Sequence, residues 1–154
     1  NRSLNLVFSN SVIEHIPNNK KLLKEVSRVL KKDGYFVFTC PSSYFTNYLA
    51  KNFGGNWYAK LRNKQFNHYH LLSHLEWKRR LSLNKLKIVD YSYYLSESNL
   101  IFWEKLLWKQ KLHQFLPILF EDPRKYQKKI EAIVQNSKLS KKEGANILII
   151  ARKK

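Results

Sequence analysis

Two apolar runs flank an amphipathic stretch near the start of the chain. The runs are Leu4 to Ser9 (LNLVFS) and Tyr35 to Cys40 (YFVFTC), and continuous runs of this kind are typical of buried strands of a parallel sheet, covered on both faces. Between them apolar residues recur at helical spacing, with lysine and arginine opposite: Leu22, Leu23, Val26, Val29 and Leu30. The pattern predicts a βαβ unit whose helix is capped by Asn18 or Asn19 and stopped by Gly34.

The remaining sequence predicts two more strands and several helices. The segment from Ser42 to about Phe66 is aromatic, basic and loop-like. Ser73 followed by Glu76 predicts a capping box at the start of a helix. The later predicted elements are helices over Leu75 to Leu83, Asn99 to Pro117 and Arg124 to Asn136, and strands over Leu86 to Tyr94 and Ala145 to Ala151.

Length and composition favour one α/β domain. The 154 residues are 44% hydrophobic, which is enough for a single core. Cys40 is the one cysteine, so no intramolecular disulfide can form, and a reducing, cytoplasmic location is expected. Since charged residues interrupt every long apolar stretch, no transmembrane helix is expected.

The net charge of +18 has two interpretations. A field of this size attracts nucleic acid or anionic lipid. However, lysine outnumbers arginine 22 to 7, a bias that an A/T-rich genome produces without selection for a polyanionic partner. The charge therefore leaves a non-catalytic basic module, binding nucleic acid or anionic membrane, as the alternative function, with nucleic acid the less expected partner.

Residues 9–42 carry a pattern of twelve spaced positions. A strand ends in a polar turn, Glu-His follows between apolar residues, and a helix ending Arg-Val-Leu-Lys leads to glycine and a strand ending at proline. The matching positions are Asn10, Ile13, Glu14, His15, Ile16, Glu25, Arg28, Val29, Leu30, Lys31, Gly34 and Pro41. The segment resembles the second half of class I S-adenosylmethionine-dependent methyltransferases, especially the ubiquinone-biosynthesis-like (methyltransferase type 11) group. It departs at Asp33, where that family usually has glycine.

This resemblance implies a Rossmann-like sheet of which the chain is the C-terminal half. The four predicted strands are then the fourth to seventh of the family's sheet, the last one antiparallel. The half with the glycine-rich cofactor loop is missing, so about 80 to 130 further residues are expected before Asn1. Within this partial domain, residues 1–42 form the βαβ unit, residues 43–85 the acceptor-side loop and helix, and residues 86–154 the last two strands with a helical insertion at 99–136.

The resemblance also implies the cofactor and its contacts. Ligands of open α/β sheets bind beyond the carboxyl ends of the strands, where Ser9, Asn10 and Ser11 lie. The position of Asn10 is expected to touch the methionyl part of S-adenosylmethionine, although these residues could instead only turn the chain. His15 is the candidate general base. The competing interpretation is that Glu14 and His15 close the turn by hydrogen bonds.

Tyr44, His68 and His70 are candidate residues for a small, sugar- or lipid-linked methyl acceptor. The aromatic residues around Tyr44 could equally form a small core. No metal is expected, because Ser11 stands where metal-binding relatives have the first glutamate of Glu-x-x-Glu-His. The apolar stretch over 100–120 is a candidate peripheral membrane contact, although a packed lid or dimer contact fits its scattered lysines better.

Overall fold

The computed structural model describes residues 2–117 and 123–154. Its elements in chain order are β1 (Leu4–Asn10), a 3-10 turn (Ile13–His15), α1 (Asn19–Val29), β2 (Leu30–Pro41), α2 (Ser43–Asn52), α3 (Gly55–Gln65), α4 (His74–Ser82), β3 (Leu86–Tyr94), α5 (Glu97–Phe115), a 3-10 turn (Pro123–Tyr126), α6 (Gln127–Gln135) and β4 (Asn146–Lys153).

The four strands form one mixed sheet in the order β1-β2-β4-β3. β1 and β2 are parallel, and α1 connects them, which confirms the predicted βαβ unit. β4 lies between β2 and β3 and is antiparallel to both. The expected antiparallel last strand is therefore confirmed.

One face of the sheet carries the main core. Alternate residues of β2 and β4 point to this face, where Phe38 lies opposite Ile149. α1 contributes Leu23 and Val26, and α4 contributes Trp77, whose ring meets Phe38 edge-on at 4.9 Å between centroids. Trp77 and Phe38 are fully buried. The amphipathic patterns of α1 and α4 thus determine which side of the sheet they cover.

The opposite face of β1 and β2 is open. Leu6, Phe8 and Tyr35 are 55%, 63% and 42% exposed. The expectation that β1 is buried on both faces is wrong for the described residues, because β1 is an edge strand and α1 and α4 pack against the other side. An apolar edge strand with an exposed face is unfavourable in water, because its apolar side chains and unpaired backbone groups are uncovered.

The predicted loop from Ser42 to Phe66 is wrong, because α2 and α3 occupy it. The Ser42 hydroxyl accepts a hydrogen bond from the Tyr44 N–H at 3.1 Å and caps α2. The aromatic residues pack against one another in a second core cluster, which includes Phe45, Tyr48, Leu49, Tyr58 and Ala59. Gly54 and Gly55 form the joint between the two helices, and Gly55 adopts the left-handed φ of +68°.

The predicted end of α1 is also wrong. The helix ends at Val29, because Leu30 is already extended and belongs to β2. The chain turns within β2 instead, where Asp33 has a φ of +64°. This is the position at which the resembling family has glycine, so the left-handed backbone accounts for that preference.

The predicted capping box of α4 is confirmed. The Ser73 hydroxyl accepts from the Glu76 N–H, and the Glu76 carboxylate accepts from the Ser73 N–H at 2.8 Å. β3 has the predicted bounds. The helix predicted from Asn99 toward Pro117 begins at Glu97 and ends at Phe115, and residues 118–120 of the candidate membrane stretch lie outside the described residues. None of the described helices is long and apolar enough to span a membrane.

Candidate functional site

The carboxyl end of β1 forms an exposed polar turn. Thr39 on the adjacent β2 donates its hydroxyl hydrogen to the Asn10 side-chain oxygen. The Ser11 N–H donates to the Thr39 carbonyl at 3.0 Å, and Ser11 takes a left-handed φ of +50°. Because the Asn10 oxygen accepts from Thr39, its NH2 group is the part left to face a ligand. Ser9 is half-buried, whereas Asn10 and Ser11 are exposed.

The next turn brings His15 against the loop that precedes α4. The Tyr69 N–H donates to the Glu14 carbonyl at 2.8 Å, which ties this loop to the 3-10 turn. The His15 Nδ1 lies 3.2 Å from the Asn67 carbonyl oxygen. Since a carbonyl can only accept, Nδ1 carries the hydrogen and Nε2 has its lone pair free. The His15 ring lies 5.4 Å from the His68 ring.

Glu14, His15 and His68 differ in their electrostatic environments. Glu14 is buried, and this burial raises the pKa of its carboxyl group. Its Oε1 lies 3.8 Å from His15 Nε2, and its Oε2 has no hydrogen-bond partner among the described residues. Burial, and secondarily the charge of His15, lowers the pKa of His68 to about 4. His68 is therefore a neutral ring at neutral pH, while the His15 ring is exposed.

The same three side chains could also hold a cation. One donor atom from each of Glu14, His15 and His68 lies within 4.8 Å of the others, and this is the one such group of three found in the described part of the chain. A carboxylate with two imidazoles suits several divalent transition metals. The expected absence of a metal stays a prediction.

The other two predicted acceptor residues lie elsewhere. Tyr44 packs edge-on against Tyr93 at 5.4 Å and lies 5.8 Å from Tyr48, so it bridges the two core clusters. His70 Nε2 lies 2.9 Å from the Pro17 carbonyl, and its Nδ1 lies 3.5 Å from Arg80. Of the three, His68 alone is grouped with His15.

The sequence did not indicate a buried polar network between α3 and α5. Arg62 donates to Glu104 at 3.1 Å, the Tyr58 hydroxyl donates to the same carboxylate, and the Trp108 indole donates to the Tyr58 oxygen at 2.6 Å. Arg62 and Glu104 are almost fully buried. Each helix shows an i, i+4 pair, Tyr58 with Arg62 and Glu104 with Trp108, but nothing in the sequence shows that the two pairs meet.

The fold is that of a Rossmann-like α/β protein. Parallel strands are joined by a helix, an antiparallel strand lies beside them, and a polar turn follows the carboxyl end of β1. The chain belongs to the methyltransferase domain family, whose family model matches residues 1–91. Comparison with curated proteins found no match.

Solved structures share the fold, two methyltransferases among them. An S-adenosylmethionine-dependent methyltransferase from Thermotoga maritima is 18% identical, with a TM-score of 0.54 over 99% of this chain and 57% of its own. The YcgJ protein of Bacillus subtilis is 16% identical, with a TM-score of 0.51 over 99% and 65%. A Haemonchus contortus phosphoethanolamine N-methyltransferase, solved with phosphomonomethylethanolamine and S-adenosylhomocysteine, is 17% identical, with a TM-score of 0.50 over 99% and 34%. The chain spans less than two thirds of each of these structures.

Proposed function

We propose that the protein containing this chain transfers a methyl group from S-adenosylmethionine to a small, sugar- or lipid-linked acceptor. The observation that carries the proposal is the polar carboxyl end of β1, where Thr39 orients Asn10 and the next turn presents His15. Ser9, Asn10 and Ser11 are the proposed cofactor contacts. The Asn10 NH2 group is a donor suited to the carboxylate or a hydroxyl of the cofactor.

The open side of the sheet supports the proposal that this chain is the C-terminal half of the domain. In this proposal β1, β2, β3 and β4 are the fourth, fifth, sixth and seventh strands of the family's sheet. A preceding strand would pair with the free edge of β1, and preceding helices would cover Leu6, Phe8 and Tyr35. The incomplete coverage of the relatives' structures agrees with this proposal.

In the proposed mechanism the chain mainly aligns the acceptor and removes its proton. The bound cofactor supplies an electrophilic methyl group, so positioning accounts for much of the rate. The Asn67 carbonyl holds the His15 ring through Nδ1, and Nε2 takes the proton of an acceptor hydroxyl or ammonium group. Glu14 lies 3.8 Å from that nitrogen and stabilises the imidazolium that forms.

The proposed acceptor site lies beside His68. This ring stacks on Phe66 at 5.4 Å and stays neutral through burial. An apolar wall of this kind suits the carbon skeleton of a small acceptor. The Haemonchus relative binds a small amine that carries a phosphate, which makes amines a first class of acceptor to test beside sugar and lipid hydroxyls.

The test is methyl transfer from radiolabelled S-adenosylmethionine by the protein made from its complete reading frame. A panel of amine, sugar and lipid acceptors is compared for wild type and His15→Gln. The variant should lose about 100-fold in kcat while the cofactor affinity is unchanged, because a general base typically contributes at least this factor.

His74→Gln is the matched control, since His74 stacks on Tyr91 at 4.3 Å, away from His15. Its kcat should stay within about twofold of wild type, as expected for a side chain outside the reaction. Absence of cofactor binding, together with salt-sensitive binding of nucleic acid or anionic vesicles, would favour the basic-module alternative instead.

A further inference from the structure

A basic cavity lies between the start of α1 and the side of α4. It has a volume of about 730 Å³, which is in the range of small-molecule sites. Its wall consists of Pro17, Asn18, Asn19, Lys20, His70, Glu76, Arg79, Arg80 and Leu83. Neither His15 nor His68 is among these residues, so the cavity is distinct from the proposed methyl-transfer site.

The charge of the wall favours an anion. Lys20, Arg79 and Arg80 supply three positive charges against the single carboxylate of Glu76. Glu76 is already used by the capping box of α4, where it accepts from both the N–H and the hydroxyl of Ser73 at 2.8 Å. The side chains of the wall therefore keep an excess of two positive charges, three from the cations less one from Glu76.

The first turn of α1 adds hydrogen-bond donors. This helix has 11 residues, and the Asn18 side chain accepts from the Lys21 N–H at 3.1 Å. The N–H groups of Asn19 and Lys20 come before the first intrahelical hydrogen bond, so they are left for a ligand at the positive end of the helix dipole.

The side chain of Asn19 is the second, independent sign of a ligand. Asn19 is 2% exposed and lines the cavity. Its Nδ2 donor has no hydrogen-bond partner among the described residues. A buried amide donor without an acceptor is unfavourable, and rotation of the Asn19 side chain toward an anion bound in the cavity would satisfy it.

His70 holds one of the cations in place. Its Nε2 donates to the Pro17 carbonyl at 2.9 Å, and its Nδ1 therefore accepts from Arg80 Nη1 at 3.5 Å. The contact fixes one nitrogen of the guanidinium group and leaves its other donors for a ligand.

We propose that this cavity binds the phosphate group of a small phosphorylated molecule through Arg79, Arg80, Lys20, Asn19 and the start of α1. Arginine side chains and helix N-termini are both well suited to bind phosphate. The inference does not depend on methyl transfer, because none of these residues belongs to the proposed cofactor or acceptor site.

The test uses the protein made from its complete reading frame. It is titrated calorimetrically with glycerol 3-phosphate and, separately, with inorganic phosphate. The double variant Arg79→Gln/Arg80→Gln should weaken both affinities at least about tenfold, as expected from the loss of charge-assisted hydrogen bonds. Lys20→Gln and Lys78→Gln form a matched pair, since both lysines are exposed but only Lys20 lines the cavity. Lys20→Gln should weaken binding, and Lys78→Gln should change it by less than about twofold.

Asn19→Ala separates a ligand contact from a structural role. It should weaken phosphate binding without lowering the melting temperature of the free protein, because it removes an unsatisfied donor. Equal weakening by Lys20→Gln and Lys78→Gln would overturn the proposal and indicate general attraction by the +18 charge. It would also be overturned if neither phosphate bound, or if only an RNA oligonucleotide bound and the arginine variants left that binding unchanged.

Discussion

Replacing His68 should change how stability depends on pH. The pKa of His68 falls from its usual 6.5 to about 4 in the folded protein, chiefly through burial. The unfolded chain therefore takes up the proton at a higher pH than the folded chain. The stabilising contribution is complete above about pH 6.5 and is lost as the pH falls from there toward about 4.

The size of the effect follows from this pKa difference. A difference of one in pKa corresponds to about 1.4 kcal/mol, so the fall from 6.5 to about 4 amounts to roughly 3 kcal/mol. His68 is only half-buried, and solvent screening reduces the expected figure to about 2 kcal/mol. Glu14 acts in the opposite direction, because its raised pKa makes the folded state gain stability as the pH falls.

Measuring each His68 variant relative to wild type at the same pH removes the contribution of Glu14, because all three proteins contain Glu14. His68→Phe keeps an aromatic ring against Phe45 and Phe66 but cannot be protonated, and His68→Gln is neutral without a ring. Urea unfolding at about pH 7.5 and about pH 4.5 should show each variant gaining about 2 kcal/mol relative to wild type on acidification, whatever its stability at neutral pH. A difference from wild type that stays constant between the two pH values would refute the reasoning.

Three further outcomes are expected. Glu104→Gln leaves the buried Arg62 charge without its partner and should lower the unfolding free energy by about 3 kcal/mol, whereas Glu97→Gln, which breaks the exposed pair with Lys51, should cost less than about 1 kcal/mol in the same urea titration. Asp33→Gly relieves the left-handed backbone and should raise the melting temperature slightly, through roughly 0.5 kcal/mol; a lower melting temperature would contradict this. Methyl transfer should survive EDTA, and a loss restored by a divalent cation would instead place a metal on Glu14, His15 and His68.

The strands and capped helices could be predicted because their signals are local. β3 needs only the apolar run over Leu86–Tyr94, and α4 needs only Ser73 and Glu76. The helices α2 and α3 could not be predicted in the same way. Their aromatic residues form a small core with Leu100 of α5, and these contacts join positions more than 40 residues apart in the sequence.

The candidate site was predictable only in part. The position of Asn10 after a strand and the Glu14-His15 pair were visible in the sequence, whereas the approach of His68 to His15 is seen only in the structure. The separation of His70 from His68 was not visible. The two residues lie in an irregular segment and contact different neighbours: His68 lies against His15, whereas His70 contacts Pro17 and Arg80.

The most direct test of the central claim is the binding of S-adenosylmethionine to the complete protein, measured by titration calorimetry for wild type and Asn10→Leu. Wild type should bind, and the variant should lose about 1 to 3 kcal/mol of binding free energy because a polar group of the cofactor loses its partner. Its melting temperature should change little, since Asn10 is exposed. Unchanged affinity in Asn10→Leu would remove the end of β1 from the cofactor site, and no binding by the wild-type protein would contradict the account as a whole.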